Sequence, residues 1–248
     1  MVDTLIIGGT AAYHLDLSDL PIAEERLVET PFGPAGPVLF FRVAGREVAL
    51  LSRHGGQGRL GLTPPFIPYH ANVWAARELG ARRILSWNSA GSLVRSLAPG
   101  SLAVVADLID WTRQRRATFG PELRVAEPRG ELFDPGLRQQ LARAAAACGH
   151  RAAPGAIYAG TEGPRLETRA EIELLAQAGA ELVGMTLAPE AFLARELGLT
   201  YGSLCWVSNY ATGVPFLGPE QRLFGPEVGG MMFAIMLTLL REEATERA

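Results

Sequence analysis

The chain has 248 residues, of which 48% are hydrophobic and 20% are charged, and its formal net charge at pH 7 is −3. This is the composition of an ordinary globular protein, and the slightly acidic balance argues against a nucleic acid as partner. No segment is long and apolar enough to span a membrane, and the first residues do not form a signal peptide, so we expect a cytoplasmic protein without a membrane partner.

The length suits one large domain, residues 1–248, because no linker-like stretch divides it. All 23 basic residues are arginines, which excludes chemistry that needs a lysine, such as a Schiff base or a P-loop. The two cysteines, Cys148 and Cys205, stand in apolar surroundings and predict neither a metal site nor a disulfide framework.

The first predicted strand, residues 3–7, runs into Gly8, Gly9 and Thr10. Such a turn exposes backbone N–H groups and a hydroxyl that can hold an anion, although the pattern taken alone favours a plain tight turn. The glycines do not have GxGxxG spacing, so a dinucleotide-binding fold is not indicated.

Two further strands, residues 38–43 and 47–51, lead into Arg53 and His54, which are followed by glycines. A guanidinium fork beside a second donor suits an anion site, whereas a solvated loop is the alternative. The apolar pattern predicts a helix within residues 67–80, where His70 is expected to be structural.

The middle of the chain alternates strands and helices, as in an α/β protein. A strand at residues 83–87 is expected to end in a turn that begins with Asn88 and Ser89. The other predicted elements are a strand at 102–109, a polar loop at 113–124, a helix at 135–148, strands at 156–159 and 200–207, and a closing helix at 227–243.

Residues 160–199 are predicted to form a loop–helix–strand–helix unit with an unusual number of polar side chains at the boundaries between its elements. Arg165, Glu167 and Thr168 stand at a helix start, and Met185, Thr186 and Glu190 stand at a strand-to-helix junction. Ligands of open α/β sheets bind at such junctions, beyond the carboxyl ends of strands. The plain alternative is a generic junction whose Glu caps a helix and whose Met fills the core.

The motif GTEGPRLETRAE, followed by VGMTLAPEAFLARELGL, resembles the trimeric purine nucleoside phosphorylase and methylthioadenosine phosphorylase family. The Gly-Gly-Thr turn, the Arg53–His54 pair and the segment after residue 87 extend the resemblance over most of the chain. The resemblance implies a single α/β domain with a mixed central β-sheet flanked by helices. It also implies a homotrimer that binds a purine nucleoside and uses inorganic phosphate as co-substrate, without a cofactor or metal.

Site residues carried over from the family fall into three groups. Met185 would lie under the ribose, and Glu167 and Asn209 would hold the base. The phosphate site would consist of Thr10, Arg53, His54, Asn88, Ser89 and Thr186.

The base-site residues follow the family's 6-oxopurine pattern, since the adenine-specific branch carries other residues at the places of Glu167, Asn209 and Ala211. An ionised Glu167 accepts from the N1–H of hypoxanthine or guanine. Adenine has a lone pair at N1 instead, and an unmet buried polar group costs about 1–3 kcal/mol.

The 5′ end of the nucleoside points to a different branch. The 6-oxopurine phosphorylases bind the 5′-hydroxyl with a late histidine, but no histidine follows Asn209 here. The region offers an apolar set instead, namely Val214 and Phe216 with Leu217, Val228 and Met231. Together, the two ends predict S-methyl-5′-thioinosine as best substrate.

Four alternatives remain open. Two are a general purine nucleoside phosphorylase acting on inosine or guanosine, and a methylthioadenosine phosphorylase. A third is a non-catalytic purine- or phosphate-binding protein. The fourth, a nucleoside hydrolase, would typically show an Asp-rich calcium motif, which this sequence lacks.

Overall fold

Short apolar runs and helical patterns of the sequence fold into nine strands and five helices in the computed structural model, which describes residues 2–9, 12, 15–18, 20–55, 61–120, 130–215 and 225–246. The strands are β1 Thr4–Gly8, β2 Glu24–Val28, β3 Ala35–Val43, β4 Arg46–Ser52, β5 Arg83–Ser92, β6 Leu102–Trp111, β7 Ala152–Thr161, β8 Leu182–Gly184 and β9 Thr200–Tyr210. The helices are α1 Tyr69–Glu78, α2 Pro135–Ala147, α3 Arg169–Gln177, α4 Leu187–Glu196 and α5 Pro226–Glu246.

The strands form one mixed sheet in the order β2-β3-β4-β1-β5-β8-β7-β6-β9. Strand β1 runs parallel to β4 and β5, and β5 runs parallel to β9, so four strands end at the same edge. Because β9 pairs with both β5 and β6, the strands β5, β8, β7, β6 and β9 close into a ring.

Both faces of the sheet are covered, which explains the unbroken apolar runs of the central strands. In β1, Leu5 and Ile7 belong to one apolar cluster and Ile6 to the other, as the two-residue period of a strand requires. Helices α1 and α4 supply the first cluster, and α2 and α5 supply the second. The expected fold, a single α/β domain with a mixed central sheet flanked by helices, is confirmed.

Three local expectations need correction. Strand β5 continues through Ser92, so Asn88 and Ser89 lie in a strand and not in a turn, because β5 pairs with β9 along its whole length. Strand β2 was not expected, because four of its five residues are exposed and it lacks an alternating pattern. Helix α3 begins after Thr168, so Glu167 lies before the helix.

Candidate active site

A cavity of about 510 Å³ opens where the parallel strands β1, β4, β5 and β9 end. Nine of the eleven predicted site residues line it, and the other two, Thr10 and Phe216, lie outside the described residues. The nine are Arg53, His54, Asn88, Ser89, Glu167, Met185, Thr186, Asn209 and Val214.

Arg53 is fully buried at the end of β4, where its charge is met by Glu190 of α4. Arg53 Nε donates to Glu190 Oε2 at 2.6 Å, and Nη2 donates to Oε1 at 2.9 Å. Burial disfavours the cation, but Glu190 outweighs that effect and raises the pKa of Arg53 above its usual value. Arg53 is therefore a core residue, which rules out the alternative of a solvated loop at this position.

The Arg53 guanidinium nevertheless keeps capacity for an anion. Nη1 donates one hydrogen bond to the carbonyl of Trp87 at 3.0 Å, so three of the five N–H groups are used within the described part of the chain. Gly9 also lines the cavity, and a Cβ there would meet the Trp87 carbonyl at 2.8 Å and Arg53 Nη1 at 3.3 Å. A glycine at this position therefore lets the backbone pass close to the guanidinium, whose side chain has no exposed surface in this structure.

His54 is held as a neutral ring. Its Nδ1 lies 2.7 Å from the carbonyl of Leu62, so this nitrogen carries the hydrogen and Nε2 is an acceptor. Burial, with a contribution from Arg53, lowers the pKa of His54 to about 4. Near neutral pH, His54 therefore adds no positive charge to the site.

Asn88 is oriented by strand β9. Its Nδ2 donates to Ser203 Oγ at 3.0 Å, and the Cys205 thiol donates to Asn88 Oδ1 at 2.9 Å. Burial raises the pKa of Cys205 to about 12, which keeps the thiol protonated and able to donate. Asn88 can therefore offer one further amide hydrogen to a ligand.

A buried polar chain links Asn88 to the Arg53–Glu190 pair. Ser86 Oγ donates to Ser203 Oγ at 2.8 Å and lies 2.8 Å from the hydroxyl of Tyr201. That hydroxyl donates to Glu190 Oε1 at 2.7 Å. The two sides of the anion site are thus connected through adjacent buried polar groups.

Glu167 lines the cavity and does not cap α3. The capping box is made by Thr168, whose hydroxyl accepts from the Glu171 N–H at 3.2 Å, and by the Glu171 carboxylate, which accepts from the Thr168 N–H at 2.8 Å. Glu167 instead accepts a hydrogen bond from the hydroxyl of Thr161 at the end of β7. The alternative of a helix-capping Glu therefore applies to Glu171.

Asn209 stands at the end of β9 on the cavity wall. Its Oδ1 accepts from Ser208 Oγ at 2.7 Å, and its Nδ2 donates to the Tyr210 carbonyl at 2.8 Å. One amide hydrogen remains for a purine acceptor. A Cβ on Gly91 would lie 3.4 Å from Asn209 Nδ2, so the glycine leaves this amide room.

Met185 and Thr186 line the cavity between β8 and α4. The Met185 side chain packs against Gly163, which has φ of +64° and whose missing Cβ would overlap the Met185 sulfur. The Thr186 hydroxyl does not cap α4, and the Thr186 backbone N–H lies 3.4 Å from the Tyr158 hydroxyl. An apolar thioether and a hydroxyl are therefore neighbours in the cavity lining.

The 5′ expectations are divided by the structure. Val214 lines the cavity, as does Ala211 of the base pattern. Val228 and Met231 of α5 instead pack in or against an apolar cluster and are not part of the cavity lining. Leu217 lies outside the described residues. His70, expected to be structural, bonds the Thr118 carbonyl at 3.0 Å, away from this cavity.

Two groups at the site carry roles that sequence reasoning missed. Glu190 was noted at its junction without a role, and Tyr201 was not singled out at all. Their contacts with Arg53 and Ser86 span more than a hundred residues of sequence, so local pattern could not reveal them. A glutamate directly after an Ala-Pro pair, in an otherwise apolar helix start, was the available signal for Glu190.

The described residues show neither a metal site nor a membrane-spanning helix. These contain no cluster of three or more His, Cys, Asp or Glu side chains placed to hold a metal ion. No helix within them is both long and apolar enough to cross a bilayer.

The sequence profile of the phosphorylase superfamily matches residues 3–241. A protein of Methanothermobacter thermautotrophicus, named a probable S-methyl-5′-thioinosine phosphorylase, is 40% identical over 211 residues, covering 84% of this chain and 72% of that protein. A protein of Thermococcus kodakarensis, named a probable 6-oxopurine nucleoside phosphorylase, is 42% identical over 217 residues, covering 84% and 79%.

Solved structures share the whole architecture. A double mutant of adenosine/methylthioadenosine phosphorylase from Schistosoma mansoni, in complex with adenine, superposes with a TM-score of 0.87 at 29% identity, covering 99% of this chain and 93% of the other. A methylthioadenosine phosphorylase from an antarctic soil metagenomic library gives a TM-score of 0.84 at 30% identity, covering 100% and 88%.

Proposed function

The chain belongs to the phosphorylase superfamily, and we propose that it cleaves the N-glycosidic bond of 6-oxopurine nucleosides with phosphate, with S-methyl-5′-thioinosine as its preferred substrate. It is an enzyme of the purine nucleoside phosphorylase type, a pentosyltransferase. The products of the preferred reaction are hypoxanthine and 5-methylthioribose 1-phosphate. No cofactor is required in this proposal, because phosphate itself is the nucleophile.

Phosphorolysis passes through an oxocarbenium-like transition state, as other glycoside cleavages do. Phosphate attacks C1′ of the sugar while the bond to the purine nitrogen breaks, so the electron pair leaves with the base. The enzyme must hold an anion beside C1′ and stabilise the negative charge that develops on the purine. No side chain of the protein has to act as a covalent nucleophile.

The observation that carries the proposal is the placement of Glu167 and Asn209 in the same cavity as Arg53. The remaining N–H groups of Arg53, the amide of Asn88 and the hydroxyl of Thr186 suit phosphate. The two base-side residues offer an acceptor and a donor. One cavity therefore provides for both the attacking phosphate and the departing base.

Base choice follows from donors and acceptors. A 6-oxopurine presents N1–H to the Glu167 carboxylate and presents O6 or N7 to the remaining amide hydrogen of Asn209. Adenine would place its N1 lone pair against the carboxylate. Sites that match such groups reject the wrong analogue by roughly 10⁴-fold or more.

The 5′ substituent is assigned on the apolar lining. Val214 lies on the cavity wall, where a methylthio group would gain apolar burial. No histidine follows Asn209 in the sequence to bind a 5′-hydroxyl. Relatives named probable S-methyl-5′-thioinosine phosphorylases support this choice.

A general 6-oxopurine nucleoside phosphorylase acting on inosine or guanosine is the second candidate, supported by relatives of that name. It shares the base site and differs only at the 5′ position.

We propose in addition a homotrimeric assembly in the cytoplasm, on the strength of the family resemblance. Sedimentation showing a fully active, stable monomer would contradict the trimer.

The proposal is tested by assaying a panel of nucleosides with and without phosphate. We expect cleavage of methylthioinosine only when phosphate is present, with methylthioribose 1-phosphate as product. Cleavage without phosphate would indicate a hydrolase, and nucleoside binding without any cleavage would indicate a binding protein.

A further inference from the structure

Arg115 lies in the loop after β6. Its side chain is not part of the cavity lining but packs behind residues that are. The side chain is only 4% exposed. Its Nη1 donates to the Ala188 carbonyl at 2.8 Å, to the Tyr69 hydroxyl at 3.1 Å and to the Met185 carbonyl. Backbone carbonyls on the rear of the site are thus its main partners.

The same guanidinium also makes hydrogen bonds to Glu162, in a second wall of the cavity. Nη2 donates to the Glu162 carbonyl, and Nε donates to Glu162 Oε1 at 3.2 Å. The Glu162 carboxylate also accepts the backbone N–H groups of Arg113 at 2.7 Å and Gln114 at 3.2 Å. This wall is the segment between β7 and α3 that carries Glu167.

These contacts join two parts of the site that do different chemistry. Met185 and Ala188 flank Thr186 on the ribose and phosphate side, whereas Glu162 begins the segment of the base side. Tyr69 reinforces the first part, since its hydroxyl donates to the Met185 carbonyl at 3.2 Å. Arg115 touches both parts with one rigid, planar group.

We propose that Arg115 is a positioning residue, which sets the spacing between the base wall and the ribose–phosphate wall of the cavity. The inference rests on the proposed phosphorolysis, in which base, sugar and phosphate must be aligned at once. A misplacement of about 1 Å can cost about 100-fold in rate. Loss of Arg115 lets the two walls move separately and affects the aligned transition state most.

The expected kinetic result separates alignment from binding. Of the proposed phosphate residues, Thr186 lies in a wall that Arg115 holds, but Arg53 follows strand β4 and Asn88 lies in β5. Arg53 and Asn88 make no hydrogen bond with Arg115. In Arg115→Ala we therefore expect kcat to fall about 100-fold while KM for phosphate changes by less than about 5-fold. Added guanidinium ion should restore part of kcat, because it can occupy the vacated position between the carbonyls.

Two conservative variants cover the case in which Arg115→Ala does not fold. Arg115→Lys keeps the charge but replaces the planar fork by a single ammonium, which cannot hold both walls. Tyr69→Phe keeps the ring beside Arg115 and removes only the hydroxyl. We expect kcat losses of about 10-fold or more and about 3- to 10-fold, respectively, with the phosphate KM nearly unchanged.

The matched control is Arg143→Ala, an exposed arginine paired with Glu246, which should leave kcat unchanged. Folded Arg115 variants with wild-type kcat would overturn the inference. A loss confined to KM for phosphate, or a loss that guanidinium does not relieve in folded Arg115→Ala, would also overturn it. A wild-type enzyme without phosphate-dependent cleavage would instead refute the proposed function, so the two failures are distinguishable.

Discussion

The guanidinium of Arg53 and the carboxylate of Glu190 form a two-pronged ion pair with no solvent exposure on either side chain. The pair joins the end of β4 to α4. Breaking such a buried pair leaves a charge without its partner, which typically costs about 3–5 kcal/mol. The same two residues therefore serve the stability of the fold and the anion site.

Arg53→Ala should lower both phosphorolysis and the free energy of unfolding. We expect the free energy of unfolding to fall by about 3–5 kcal/mol, because Glu190 is left buried and unpaired. Urea unfolding of the variant and the wild type measures this difference. Arg143→Ala, which breaks the exposed pair with Glu246, should cost no more than about 1 kcal/mol. Equal small losses in both variants would contradict the account of Arg53 as a core residue.

The end of strand β4, which Arg53 follows, illustrates what the sequence could and could not predict. Arg-His before glycines, at the end of an apolar run, indicated a functional strand end. That indication used only local pattern. Burial of Arg53 depends on Glu190, which lies 137 positions away, so the core role could not be inferred from neighbouring residues.

Strands β5 and β9 illustrate the same limit for secondary structure. Asn88 to Ser92 is locally rich in turn-forming residues, so a turn was expected. Parallel pairing of Arg83–Ser92 with Thr200–Tyr210 overrides that preference. The hydrogen bond from Asn88 to Ser203 further stabilises this pairing. The meeting of the polar motifs around one cavity could be predicted, because the carboxyl ends of parallel strands lie at the same edge of a sheet.

His54 makes the stability depend on pH in a defined direction. Burial lowers its pKa to about 4 from 6.5, so between these pH values the unfolded chain binds a proton that the folded chain does not. The free energy of unfolding therefore includes a contribution that is complete above pH 6.5 and is lost as the pH falls to about 4.

The test is His54→Asn, whose amide can still donate to the Leu62 carbonyl but does not titrate. Urea unfolding across this pH range should give a steeper rise of stability with pH for the wild type than for the variant. Parallel curves would show that the His54 pKa is not lowered in the folded protein.

Asn209→Asp should weaken the preference for 6-oxopurines. A carboxylate cannot donate to O6 or N7, but it can accept from the exocyclic amine of adenine. We expect the ratio of kcat/KM for methylthioinosine over methylthioadenosine to fall about 10-fold or more, by 1.4 kcal/mol per decade. Glu167 still opposes the adenine N1, so the variant should not become a good adenosine enzyme. An unchanged ratio would remove Asn209 from the base site.

The proposed substrate depends on one combination, a 6-oxopurine base site joined to an apolar 5′ pocket. A buried 5′-hydroxyl without a partner loses about 1–3 kcal/mol. A methylthio group avoids this loss and adds burial of roughly 0.8 kcal/mol per methylene equivalent. The competing possibility is that His14, which lies outside the described residues, or a side chain of a neighbouring subunit reaches the 5′ position.

The most direct measurement is kcat/KM for methylthioinosine, inosine and methylthioadenosine, each with saturating phosphate. We expect methylthioinosine to exceed inosine by about 10- to 10³-fold and to exceed methylthioadenosine as well. Equal values for methylthioinosine and inosine, or a preference for inosine, would make the pocket polar and the protein a general purine nucleoside phosphorylase. A preference for methylthioadenosine would contradict the base site built on Glu167 and Asn209.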